Sequence, residues 1–137
     1  MSGDDAGGTL VRDYYTAVYN DRDLGAVGRF LAPTFVSAGP GGSMDLAAHR
    51  AALASTLAAL PDLALEIEEQ VVEHDAVVTR WRATATHLGP LFGIPATGRS
   101  ITASAIHIHH VADGRIVDQW EQFDALGVLR QLGVVPG

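Results

Sequence analysis

Residues 106–124, IHIHHVADGRIVDQWEQFD, decide how this chain folds. Ile106-His107-Ile108-His109 alternates with the period of a strand, Ala112-Asp113-Gly114-Arg115 is turn chemistry, and Ile116 to Phe123 reads as the returning strand. The pair forms a β-hairpin, and Asp124 caps a short last helix from Ala125 to Leu132. Three of the six histidines, one of the two tryptophans and the carboxylate Glu121 fall within it. Ionisable groups on strand faces are partnered or functional, because burying them alone is costly. The rest of the chain is therefore expected to form the wall and lid of a pocket that the hairpin lines.

The turn leaves two registers open. In a two-residue Asp113-Gly114 turn, Ala112 faces Arg115, His107 lies opposite Trp120, and Glu121 points to the other side of the sheet. In a three-residue loop with Gly114 left-handed and a bulge, Val111 faces Arg115. His107 then lies opposite Gln119, with Glu121 a diagonal neighbour on the same face, roughly 7 Å away. Apolar residues occupy both faces of Ile116 to Phe123, so alternation does not choose between them.

Working outward, Leu63 to Glu68 and Val77 to Thr86 carry the same period of two, and Ile101 to Val111 completes a run of four long antiparallel strands. Between them lies HLGPLFGIPATGR (87–99), rich in glycine and proline yet apolar at Leu91, Phe92 and Ile94. That composition suits a flap over a binding site or an oligomer contact. Upstream, Thr9 to Asn20 has helical spacing through Leu10, Tyr14, Ala17 and Val18, with Thr9 as cap. Asp23 is placed to cap a second short helix through Leu31, a short strand spans Thr34 to Ser37, and Ala38 to Gly42 is a loop. An alanine-rich third helix runs from Asp45 to Leu60. The expected fold is α+β: three N-terminal helices packed on a curved, mostly antiparallel sheet that encloses a cavity. Residues 1–8 read as a disordered acidic tail and residues 9–137 as one domain.

Composition narrows the partners. The chain has 137 residues, 47% of them hydrophobic, a net charge of −7 and no cysteine. Disulfides, thiolate nucleophiles and cysteine-ligated zinc are excluded. The acidic balance argues against nucleic acid and anionic membranes, no apolar run is long enough to span a bilayer, and the N-terminus has no signal-peptide pattern. A cytoplasmic protein acting on a small molecule is the expectation. His107 and His109 share a strand face, but Asp113 falls in the turn and no further ligand follows, so no metal is expected. No phosphate-cradling loop or serine-nucleophile motif occurs, and no cofactor is expected.

The segments LFGIPATGR (91–99), Ile106-His107-Ile108, Asp113-Gly114-Arg115-Ile116 and Leu129-Arg130-Gln131-Leu132-Gly133 resemble the SnoaL-like polyketide cyclases, which belong to the NTF2-like cone fold. The resemblance implies a cavity faced by a histidine on the penultimate strand, matched by His107, and an aspartate on the last strand. Here that position holds Glu121, one methylene longer, and Ser37 stands where the family has an amide. It also selects the face that brings Glu121 to His107, and it implies cofactor-free ring closure of a polyketide-like or polycyclic hydrophobic substrate by intramolecular aldol attack. Glu121 would remove a proton from a carbon flanked by carbonyls, and His107 would stabilise the enolate oxygen. An apolar cone would raise the pKa of Glu121. Phe35, Ser37, Trp81, His87, Phe92, His109, Gln119 and Phe123 are the expected ligand contacts. Two other readings stand beside this one. Epoxide opening would enlist an arginine such as Arg80, Arg82 or Arg99 between carboxylates, whereas a non-catalytic domain would only bind a ligand. Apolar residues on both sheet faces, Val77 and Val78 among them, predict a homodimer or homotetramer.

Overall fold

In the computed structural model, which describes residues 3–135, helix α1 (Gly3–Tyr14) runs directly into a π-helical turn over Tyr15–Asn20. A 3₁₀ turn (Leu24–Ala26) continues into the four-residue helix α2 (Val27–Phe30). Strands β1 (Leu31–Gly39) and β2 (Gly42–Asp45) form a hairpin, followed by helix α3 (Leu46–Ala59). Then come β3 (Ala64–Glu73), β4 (Ala76–Thr86), β5 (Ser100–Ala112), β6 (Arg115–Phe123) and the terminal helix α4 (Ala125–Gln131). The six strands make one sheet in the order β2-β1-β6-β5-β4-β3, antiparallel throughout except where β1 runs parallel to β6. This is the expected α+β architecture. Among the described residues no helix is long and apolar enough to cross a membrane.

The period-two pattern explains which face the helices cover. Along β4, Val77, Thr79, Trp81, Ala83 and Ala85 are buried while Arg80, Arg82 and Thr84 are exposed. Helix α1 lies on β3 and β4, and its core contribution is Val11 and Tyr14, joined by Tyr15 and Val18 from the π turn and by Val27, Leu31, Phe35 and Ile116. A second cluster, Ala59, Leu60, Ala85, Ile101, Val128 and Leu132, sits where α3, the long loop and α4 converge. On the outer face, Arg80 pairs with Glu68 and Glu69, and Arg82 with Glu66 and Glu68.

Several boundaries differ from the sequence expectation. Helix α1 starts at Gly3, so residues 3–8, expected as tail, are helical, while Met1 and Ser2 lie outside the described residues. Gly7 and Gly8 bring the helix close to the sheet, where a Cβ at Gly8 would come within 3.0 Å of Gln70 Oε1 and one at Gly7 within 3.4 Å of Val77. Thr9 is inside the helix and accepts from Arg12 instead of capping. Asp23 makes no side-chain cap, and Leu31 opens β1 instead of ending a helix. The loop after Ala38 hides β2, a short edge strand exposed along its whole length and so without a hydrophobic signature. Asp45 and Asp124 do cap α3 and α4, accepting from Ala48 and Gly127 backbone N–H groups at 2.9 Å.

The β5–β6 hairpin combines features of both registers. Asp113 and Gly114 have φ of 52° and 74°, a two-residue turn with Ala112 facing Arg115. One step later Val111 pairs with Ile116 but His110 with Asp118, leaving Val117 as the extra residue of a β-bulge. That single residue shifts the ladder, so His107 lies directly opposite Glu121 and His109 opposite Gln119.

Candidate active site

The sheet's covered face and α3 enclose a cavity of about 210 Å³. Its inner end is polar, with Ser37 from β1, Gln119 and Glu121 from β6, Tyr19 from the π turn and His49 from α3. Its remaining wall is apolar apart from Thr56 of α3: Trp81, Ala83, Ala103 and Phe123 from the sheet, Leu53 from α3, Leu60 just past its end, and Leu91 and Phe92 from the long loop.

Two hydrogen-bonded lines run from the core to this polar end. In the first, the Tyr15 hydroxyl meets His107 Nδ1 at 2.6 Å, and His107 Nε2 meets Glu121 Oε2 at 2.8 Å. Trp81 Nε1 also points at His107 Nδ1, at 3.3 Å. An indole N–H can only donate, so Nδ1 is the accepting nitrogen and Nε2 carries the proton given to the carboxylate. The π-helical turn serves this line, because its wider i→i+5 bond, Asp21 N–H to Thr16 C=O at 2.8 Å, sets the register of Tyr15 and Tyr19. In the second line, His109 Nε2 meets Gln119 Oε1 at 2.9 Å and Gln119 Nε2 donates to Ser37 Oγ at 3.2 Å. With its amide oxygen occupied by His109, Gln119 turns its N–H₂ toward the cavity side, and Ser37, accepting from it, keeps its own proton to donate.

Burial alone pushes the Glu121 carboxyl up, but the His107 hydrogen bond, with the electrostatic influence of His107 and His49 beside it, outweighs burial and holds the group below its ordinary value. The expected upward shift is therefore reversed, because the apolar cone is broken by an imidazole at hydrogen-bond distance. The side chain keeps 41% of its surface exposed. Among the described residues Oε1 has no partner, so one carboxylate oxygen is tied and the other is free to the cavity. Burial drives His109 down to about 3 and His49 down to about 4, so both are neutral imidazoles near pH 7.

Of the residues singled out from sequence, Ser37, Trp81, Phe92, Gln119, Glu121 and Phe123 line the cavity. His107 and His109 are fully buried behind it and reach it only through Glu121 and Gln119. His107 is therefore placed to hold the carboxylate and not to touch an enolate oxygen. Phe35 packs behind His49 with ring centroids 4.9 Å apart. His87, expected as a ligand contact, is not among the lining residues: its Nδ1 accepts from Thr97 N–H at 3.2 Å and meets Thr97 Oγ1 at 2.8 Å, which pins the base of the long loop. Among the described residues no arginine lines the cavity; Arg80 and Arg82 are engaged outside and Arg99 donates to Gln131 C=O. Among the described residues no three of His, Asp and Glu gather as metal ligands. Sequence reasoning missed Tyr19 and His49. A signal for His49 existed, because it shares the buried stripe of α3 with Leu53 and Leu57 amid exposed alanines.

The profile of the SnoaL-like polyketide cyclases matches residues 9–132. The chain belongs to that family. A 47-residue stretch is 47% identical to aklanonic acid methyl ester cyclase of Streptomyces peucetius, covering 34% of this chain and about a third (32%) of that relative. Among solved structures, TsrD of Streptomyces laurentii superposes with a TM-score of 0.87 at 30% identity over 98% of this chain and 100% of that one. AclR of Streptomyces galilaeus, described as a candidate hydroxylase, superposes with a TM-score of 0.90 at 26% identity, covering 98% and 89%.

Proposed function

We propose that this SnoaL-like protein is a cyclase that closes a ring in a polyketide methyl ester by intramolecular aldol attack, without a cofactor. The observation that carries the reading is the Tyr15–His107–Glu121 line, which ends in a carboxylate oxygen free to an otherwise largely apolar cavity. Glu121 Oε1 takes a proton from the acidic carbon. His107 fixes the carboxylate through Oε2 and keeps it ionised, so the base is ready at neutral pH. Gln119 N–H and Ser37 O–H supply the donors for the enolate oxygen, the role the sequence had given to His107. The apolar walls hold one folded conformer of the substrate, which is the larger part of the rate gain in an intramolecular closure.

The test is turnover of aklanonic acid methyl ester by the purified protein after exhaustive chelation, followed as a cyclised product of unchanged mass. Product formation supports the reading. Binding without turnover would make the chain a ligand-binding domain, and loss of turnover on chelation that returns with a metal would make His107 and His109 ligands. Epoxide opening has less support, since it needs a guanidinium that this cavity does not present.

A further inference from the structure

Aldol closure develops negative charge on two oxygens in turn. The first is the enolate oxygen. The second is the oxygen of the carbonyl under attack, which becomes an alkoxide as the carbon–carbon bond forms. Ser37, Gln119 and Glu121 all stand on the neighbouring strands β1 and β6, so they serve one side of a folded substrate. The carbonyl under attack needs a donor on another wall.

The α3 wall offers two polar side chains, His49 and Thr56. Thr56 lies seven residues, about 10 Å, further along the helix, beside the apolar end near Leu60. His49 lies at the polar end. It is 6% exposed, its ring packs on Phe35, and its Nε2 meets the Tyr14 hydroxyl at 3.2 Å. Its Nδ1 has no partner among the described residues, yet it is not sealed as His87 Nε2 and His109 Nδ1 are. His49 is one of the residues that line the cavity. In the tautomer in which Tyr14 donates to Nε2, the single proton of the neutral ring sits on Nδ1.

Resting on the cyclase reading above, we propose that His49 is a second catalytic residue of the closure, donating its ring N–H to the oxygen of the carbonyl under attack. Glu121 removes the proton from carbon, the carbanion's electron pair forms the new carbon–carbon bond, and the carbonyl π pair moves to oxygen beside His49. The proton taken by Glu121 ends on the new hydroxyl, so the substrate is isomerised and no co-reactant is consumed. Burial favours the neutral ring, and His49 lies near enough to Glu121 for the carboxylate's charge to act on it. A neutral imidazole is a proper electrophilic donor at a developing oxyanion.

The experiment separates the two steps with aklanonic acid methyl ester in D₂O, following deuterium entry at the acidic carbon and ring closure in the same samples. In His49→Phe, deuterium entry should stay within about threefold of wild type while closure falls about a hundredfold, the cost of removing one oxyanion donor. His49→Asn, which restores a short N–H donor, should regain about tenfold of that closure rate and guards against misfolding of the phenylalanine variant. If both rates fall together in both variants, or closure is unchanged, His49 is a wall residue and the proposal fails while the cyclase reading stands. If wild type gives neither deuterium entry nor closure, the cyclase reading fails and this proposal with it.

Discussion

Among the residues, each histidine leaves its own mark on pH. Removing the imidazole in His107→Ala deletes the bond that lowers the Glu121 pKa and leaves the desolvation that raises it. The acid limb of the kcat/KM profile should therefore move upward. A role confined to packing would lower the rate without moving the limb. His49 and His109 bear on stability instead. Their folded pKa values lie near 4 and 3, below the ordinary 6.5, so between those limits the unfolded chain takes up protons that the folded chain refuses. Their contribution is complete above pH 6.5 and is lost as pH falls toward 4. The Tm should drop by about 10 °C between pH 7 and pH 4, and His109→Gln, which keeps an N–H but does not titrate there, should narrow that gap. Glu121 and Gln119 line the cavity as expected, but alternation left their face open and the family resemblance chose it. His49 was passed over: its spacing with Leu53 and Leu57 put it on the buried stripe of α3, but a single polar residue in an alanine-rich helix reads as solvated until the helix is docked. The depth of His107 was not legible for a related reason: strand alternation gives its face but not how far it lies behind Trp81 and Tyr15.

At the scale of elements, the hairpin and the loop over the cavity carry the argument. The sequence exposes the strands, the turn residues and the apolar flap through their patterns. It does not expose the bulge at Val117, since bulging is decided by how β6 meets both β5 and β1 and not by any local preference. The flap tip is a small hairpin in which Leu91 and Ile94 exchange backbone bonds at 3.0 and 2.9 Å around Phe92 and Gly93, and Phe92 stands over Phe123. Phe92 is nevertheless 53% exposed, with an apolar ring that a bound ligand would cover. Amide exchange over residues 88–94 should slow when ligand saturates the protein, and unchanged exchange would assign the loop to contacts between subunits. The base of the flap is held against α3, where Ala59 C=O accepts from Leu88 and Gly89. A Cβ at Gly89 would stand 2.9 Å from Ala59 Cα. Gly89→Ala should cost about 1–3 kcal/mol in chemical denaturation and speed exchange in the flap. Wild-type stability in that variant would show that the loop is not docked as described.

At the scale of the molecule, folding leaves one face of the sheet unaccounted for. Val78, Ile108 and Trp120 are cross-strand neighbours there, with Ile106 and Val36 nearby, and Trp120 is 45% exposed. Val77, by contrast, is core. We propose that copies of the chain pair through this outer face. Light scattering at micromolar concentration should give at least a dimer, which Trp120→Glu should dissociate, whereas a wild-type monomer would remove the idea. What the whole fold delivers is a single ionised carboxylate, held from behind by a buried imidazole and presented to an otherwise largely apolar cavity. The most direct test is the rate of ring closure by Glu121→Gln, which keeps the shape and removes the base. Closure of aklanonic acid methyl ester should fall about a hundredfold or more, with ligand affinity and Tm near wild type. Closure at the wild-type rate would contradict the account, for the cavity would then be working without the group around which it is built.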